Sequence, residues 1–90
     1  MAIQSWSNDE AKAIFAGRRV RTVAADLARL ARRRLAQLDQ AVRVEDMRTP
    51  PGNRLHLVGD RWSIIVNMQY RITFPWGANG PEDVWFGDYH

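Results

Sequence analysis

At Thr49-Pro50-Pro51-Gly52-Asn53 two prolines and a glycine interrupt any regular helix, and the hydrophobic period changes from one side of this turn to the other. Upstream, Val20, Val23, Ala24, Leu27, Leu30, Ala31, Leu35, Leu38 and Val42 step by three or four, which predicts a long amphipathic helix over residues 22–41, with Thr22 helping to start it. Ser7 or Asn8 can cap a shorter helix through Phe15 that Gly17 ends, with Asp9 and Glu10 suited to its positive end. Residues 3–6 read as a short first strand.

Downstream the pattern is that of strands. Leu55 and Leu57 alternate with Arg54 and His56; residues 62–66 are rich in β-branched and aromatic side chains; Tyr70, Ile72, Phe74 and Trp76 alternate with Arg71, Thr73 and Pro75. Asn67-Met68-Gln69 reads as a hairpin connection, Gly77-Ala78-Asn79-Gly80 as a second turn, and residues 84–86 as the start of a final strand. Helices first and antiparallel strands after them define an α+β fold, with two N-terminal helices packed on one face of a small sheet and the other face open to a ligand. Ninety residues are expected to form one domain spanning 1–90.

Composition narrows the chemistry. The chain has no cysteine, which excludes disulfides, thiolate metal sites and a cysteine nucleophile and fits a reducing cytoplasm. Neither a basic start with an apolar run nor a long apolar segment is present, so secretion and membrane insertion are not expected. Net charge is +3, but residues 18–34 hold seven arginines against Asp26 alone. Arginine grips phosphate or carboxylate through paired hydrogen bonds, so this run fits nucleic acid or an acidic partner, and equally a solvated helix face.

Strand alternation places Arg71 and Thr73 on the face opposite Ile72 and Phe74, with Arg54 and His56 opposite their own leucines. The chain closes on Asp88-Tyr89-His90, a carboxylate, a phenol and an imidazole in succession. Each of these also has a structural alternative. A strand arginine can be an outer-face charge, a strand histidine a half-buried filler, and the last three residues a frayed end. Trp6, Trp62, Trp76 and Trp85 suit core or edge packing, although an exposed one can stack on a base.

The segments Arg54-Leu55-His56, Gly59-Asp60-Arg61, Trp62-Ser63-Ile64, Gln69-Tyr70-Arg71-Ile72-Thr73-Phe74 and Asp88-Tyr89-His90, in that order, resemble the HigB-type toxins of the RelE/ParE superfamily. The resemblance extends upstream through Ala13-Ile14-Phe15, Gly17, Arg34-Leu35-Ala36-Gln37-Leu38-Asp39 and Pro50-Pro51-Gly52. It implies the same α+β fold and a toxin of a type II toxin-antitoxin system. Such a toxin cleaves messenger RNA in the ribosomal A site without metal or cofactor. Its expected partners are a HigA-like helix-turn-helix antitoxin and the ribosome with its mRNA, with operator DNA engaged only through the antitoxin complex.

The resemblance promotes His56, Arg71, Asp88, Tyr89 and His90 as catalytic candidates, and Arg54, Arg61 and Gln69 as substrate-binding ones. Arg29, Arg32 and Arg33 would face ribosomal RNA or the antitoxin. Metal-independent RNA cleavage needs a base for the 2′-OH, a cation at the phosphate and an acid for the departing 5′ oxygen. Histidine changes charge nearest neutrality and suits either proton-transfer role. In this scheme Arg71 holds the phosphate, Asp88 orients an imidazole, and Tyr89 stacks on a base or positions the ribose. The family pattern carries a lysine just before Gly-Asp-Arg where this chain has Val58, leaving Arg61 or Arg54 to supply that charge. Two alternatives are a ParE-like gyrase inhibitor and a nucleic-acid or partner-binding module that does not cleave.

Overall fold

The computed structural model describes residues 3–88. Two helices, α1 (Asp9–Phe15) and α2 (Ala25–Gln40), precede two short 3-10 turns, Val44–Arg48 and Pro51–Asn53. Strands β1 (His56–Val58), β2 (Arg61–Ile65), β3 (Tyr70–Phe74), β4 (Trp76–Gly77), β5 (Gly80–Pro81) and β6 (Trp85–Asp88) follow. The main sheet is antiparallel in the order β1-β2-β3-β6, and β4 pairs with β5 separately. The expected α+β architecture is the one observed.

Asn8 is the cap of α1, its side-chain oxygen accepting the Ala11 amide at 3.3 Å. The same side chain donates to the Phe86 carbonyl at 2.6 Å and accepts the Phe86 amide at 3.3 Å, so one residue starts the helix and fixes it to β6. Gly17 at φ +78 ends the turn that follows α1, a conformation that favours glycine.

Helix α2 begins three residues later than the period predicts. Thr22 lies in a turn in which the Val23 amide donates to the Val20 carbonyl, and the cap position falls to Ala24, which makes no side-chain bond. Ala31, Leu35 and Leu38 are fully buried, whereas Leu30 is 37% exposed and Val42, beyond the helix end, is 83% exposed. The apolar stripe is therefore narrower than the sequence suggests. With Ala11 and Ile14 of α1, its buried residues cover one sheet face and meet Ile64, Ile72, Phe74, Val84 and Phe86.

Three further expectations are corrected by the backbone. Residues 3–6 form no strand but a single parallel bridge, Trp6 to Val84, flanked by the bond from the Gln4 amide to the Pro81 carbonyl. The opposing chain turns at Asp83, at φ +44, which stops a longer ladder. Trp76 is not on β3, because Pro75 breaks the strand after Phe74 and Trp76 starts the small second sheet. Arg54 adopts φ +50 at the end of the second 3-10 turn and so precedes β1. On β1 itself Leu57 is 55% exposed despite pairing with Trp62, since the edge strand lies beyond the cover of the helices.

Candidate active site

Cross-strand partners in an antiparallel sheet point to the same face, so the register alone assembles the site. His56 pairs with Ser63, Ser63 with Thr73, and Thr73 with Trp85, giving one straight row across all four strands on the face away from the helices. Neighbouring strands lie about 4.8 Å apart, so His56 and Trp85 stand about 14 Å apart with two short hydroxyl residues between them. The next row toward the β2–β3 hairpin is Ile65, Arg71 and Gly87, and the row on the other side pairs Arg61 with Val58. An open cleft of about 530 Å³ occupies the middle of this surface, lined by Val58, Arg61, Ser63, Thr73, Trp85 and Asp88 with Ser7 at the rim.

The two arginines flanking the row are held differently. Arg61 donates from Nε to Thr73 Oγ1 at 3.0 Å and from Nη2 to the carbonyls of Thr73 at 3.0 Å and Asp83 at 2.6 Å. Its guanidinium is thus held against Thr73, which is only 8% exposed on a face without helices, and the neighbouring Ser63 is 3% exposed. Among the described residues Arg71 donates from Nη1, to the Asn67 carbonyl at 3.0 Å and more weakly to that of Tyr70 at 3.4 Å. Those acceptors belong to the hairpin, which Asn67 stiffens by accepting the amides of Gln69 and Tyr70.

His56 is exposed, and its Nδ1 lies 2.8 Å from the Arg54 carbonyl oxygen. A carbonyl only accepts, so Nδ1 carries the proton and the neutral ring keeps its lone pair on Nε2. The left-handed backbone at Arg54 brings that carbonyl to the imidazole, so Arg54 serves the site through its main chain. At the other end of the sheet Gln69 Nε2 donates to Asp88 Oδ2 at 2.7 Å, joining the hairpin to the end of β6.

The remaining candidates are dispersed. Tyr89 and His90 lie outside the described residues. Arg29 pairs with Asp26 at 3.1 Å in a largely exposed contact, Arg32 packs its guanidinium beside Gly17, and Arg33 is exposed. These three belong to α2, which packs on the covered face, so they do not join the His56 row. Among the described residues no cluster of three or more histidine or acidic side chains is placed to hold a metal ion. Sequence reasoning named Ser63 only within a family motif and Trp85 only as one of four tryptophans suited to packing or, if exposed, to stacking on a base. The signal was available in the alternation of each strand, but the row appears only once the strand register is known.

A family model described as HigB-like toxin, the RelE-like toxin of the type II toxin-antitoxin system HigB, matches residues 5–90. The chain belongs to the HigB-like toxin family. Among HigB proteins, Toxin HigB-1 of Vibrio cholerae serotype O1 is 52% identical over 48 residues, a match covering 49% of this chain and 50% of that toxin. The chain thus spans about half the length of the HigB relative that it matches. The family match includes both α1, which Asn8 ties to β6, and the whole His56 to Trp85 row. No helix among the described residues of this HigB-like chain is long and apolar enough to cross a membrane.

Proposed function

We propose that this HigB-like protein is the toxin of a type II toxin-antitoxin pair and a ribosome-dependent endoribonuclease that cuts mRNA in the A site. The observation that carries the reading is the His56 to Arg54 hydrogen bond, which leaves Nε2 as the basic atom of an exposed imidazole on the open sheet face. Nε2 takes the proton of the ribose 2′-OH as its oxygen attacks phosphorus. Arg71 exchanges its hairpin carbonyls for the phosphate oxygens and stabilises the added charge. The P–O5′ bond then breaks, the 5′ oxygen takes a proton from the Asp88-Tyr89-His90 end of the chain, and the products are a 2′,3′-cyclic phosphate and a 5′-OH.

Arg71 carries the phosphate charge in this scheme because Arg61 is committed to Thr73 and Asp83, and Arg54 acts through its carbonyl. Gln69 holds the Asp88 carboxylate, and so the start of the C-terminal segment, beside the hairpin. The protein acts in the cytoplasm, where its substrate is the ribosome with bound mRNA. A HigA-like helix-turn-helix antitoxin neutralises it and supplies the contact to operator DNA. Arg29, Arg32 and Arg33 face ribosomal RNA or that antitoxin. Val58 in the cleft wall, where the family pattern has a lysine, favours one second reading, a module that binds RNA without cleaving it.

Purified ribosomes programmed with mRNA test the proposal. New 5′-OH ends are expected with the wild-type protein and ribosomes together, falling at least about 100-fold with His56→Gln, which keeps a polar side chain but cannot accept the proton. Tight ribosome binding without new ends would establish the non-cleaving module instead.

A further inference from the structure

Trp85 closes the His56 row at β6, and Gly87 stands two residues along the same face. A Cβ at Gly87 would lie 2.4 Å from Cζ2 and 2.6 Å from Cη2 of Trp85, so the six-membered ring of the indole occupies the space that any side chain at 87 would take. Gly87 is the direct cross-strand partner of Arg71. The indole therefore extends from the Thr73 row to the Arg71 row, lies over bare main chain at Gly87, and is half-buried, and Trp85 lines the cleft together with Ser63 and Thr73.

Any side chain at Gly87 would displace the indole, so the glycine keeps the ring lying along β6 toward the Arg71 row. A rigid ring beside a cation is what single-stranded nucleic acid uses, since every base has a π face and each carries its phosphate within one nucleotide's reach. We infer that Trp85, seated on Gly87, is a stacking platform for one nucleobase of single-stranded RNA, positioning the adjoining phosphate at Arg71. This rests on the RNA-cleaving reading for its place in the reaction, whereas the binding it describes does not depend on cleavage. Trp85 is thus a positioning residue that influences which nucleotide lies next to the scissile bond.

The test is binding of a fluorescein-labelled, single-stranded 2′-O-methyl oligoribonucleotide, which lacks the attacking hydroxyl and stays intact. It is measured over a salt series with the wild type, Trp85→Leu, Trp85→Phe, Gly87→Ala and Arg71→Ala. Trp85→Leu and Gly87→Ala are each expected to weaken binding about tenfold or more with the salt slope unchanged, and Trp85→Phe less than about threefold, because a ring remains. Arg71→Ala is expected instead to lower the salt slope by about 0.7, the loss of one phosphate contact on a single strand. Thermal melting of each variant separates lost stacking from lost folding, and Trp85→Phe keeps the test valid if Trp85→Leu is unstable.

Wild-type affinity in Trp85→Leu, wild-type affinity in Gly87→Ala, or no oligonucleotide binding by the wild type would each overturn the platform. Cut-site mapping on ribosomes distinguishes the two levels. Ring-dependent binding without cleavage would remove the nuclease reading and leave the platform standing, whereas cleavage with ring-independent binding would do the reverse.

Discussion

The four-stranded sheet carries two neighbouring cross-strand rows that differ by one residue in register and by their whole purpose. On the helix side Ile64, Ile72 and Phe86 pair across three strands and are at most 2% exposed. On the other side Ser63, Thr73 and Trp85 pair across the same strands, and His56 extends the row to the edge. Burial by itself does not separate them, since Ser63 and Thr73 are also buried. What separates them is the surroundings: close-packed apolar side chains in one case, a hydrogen-bonded arginine and a half-buried indole in the other. The first arrangement stabilises the fold, and the second leaves polar groups and a cleft available for work.

Substitutions can break this contrast, and the largest effect on stability belongs to the covered face. Phe74→Ala removes a fully buried ring and is expected to cost about 3–5 kcal/mol in denaturant unfolding. Arg61→Ala is expected to cost about 1–3 kcal/mol, because it deletes three hydrogen bonds and leaves the Thr73 acceptors beneath it without their donor. A neutral effect on stability with a large effect on cleavage would make Arg61 a phosphate ligand and erase its difference from Arg71. Asn8→Ala is expected to cost about 1 kcal/mol through the lost cap, with the bonds to Phe86 adding to it.

Smaller effects sharpen the same contrast at the surface. Arg29→Ala removes an exposed pair with Asp26 and is expected to change unfolding by under about 0.5 kcal/mol. Asp46 is a control in acid. Its carboxylate accepts the amides of Arg43 and Val42, and these bonds lower its pKa from the ordinary 3.8. The folded-state value being the lower one, its contribution is fully present above 3.8 and is lost as pH falls through and below that value. Asp46→Asn is therefore expected to flatten the acid end of the stability profile and leave neutral pH behaviour of the His56 row unchanged.

Local chemistry made much of the fold legible in the sequence. Asn8 as a cap, Gly17 as a stop, the Pro-Pro-Gly turn and the alternation of Tyr70 to Phe74 each depend on neighbours a few residues away. The misplaced features depend on distant ones. Leu57 follows the alternation but sits 55% exposed on the edge strand, and Thr22 lies in the turn before α2 while Ala24 takes the cap position. The candidate site was legible as a set of residue types, with His56 and Arg71 on one face as expected. Its organisation was not, because Arg61 spans 22 residues to the Asp83 carbonyl and Trp85 joins His56 only through three strand pairings.

The most direct test of the division between the two faces is a paired measurement on one preparation of Arg71→Ala: its unfolding free energy and its yield of 5′-OH ends on programmed ribosomes. Unfolding within about 0.5 kcal/mol of wild type together with cleavage lowered at least about 100-fold is the expected result. A destabilised protein whose lost cleavage follows its lost folding, or full cleavage without the guanidinium, would contradict it.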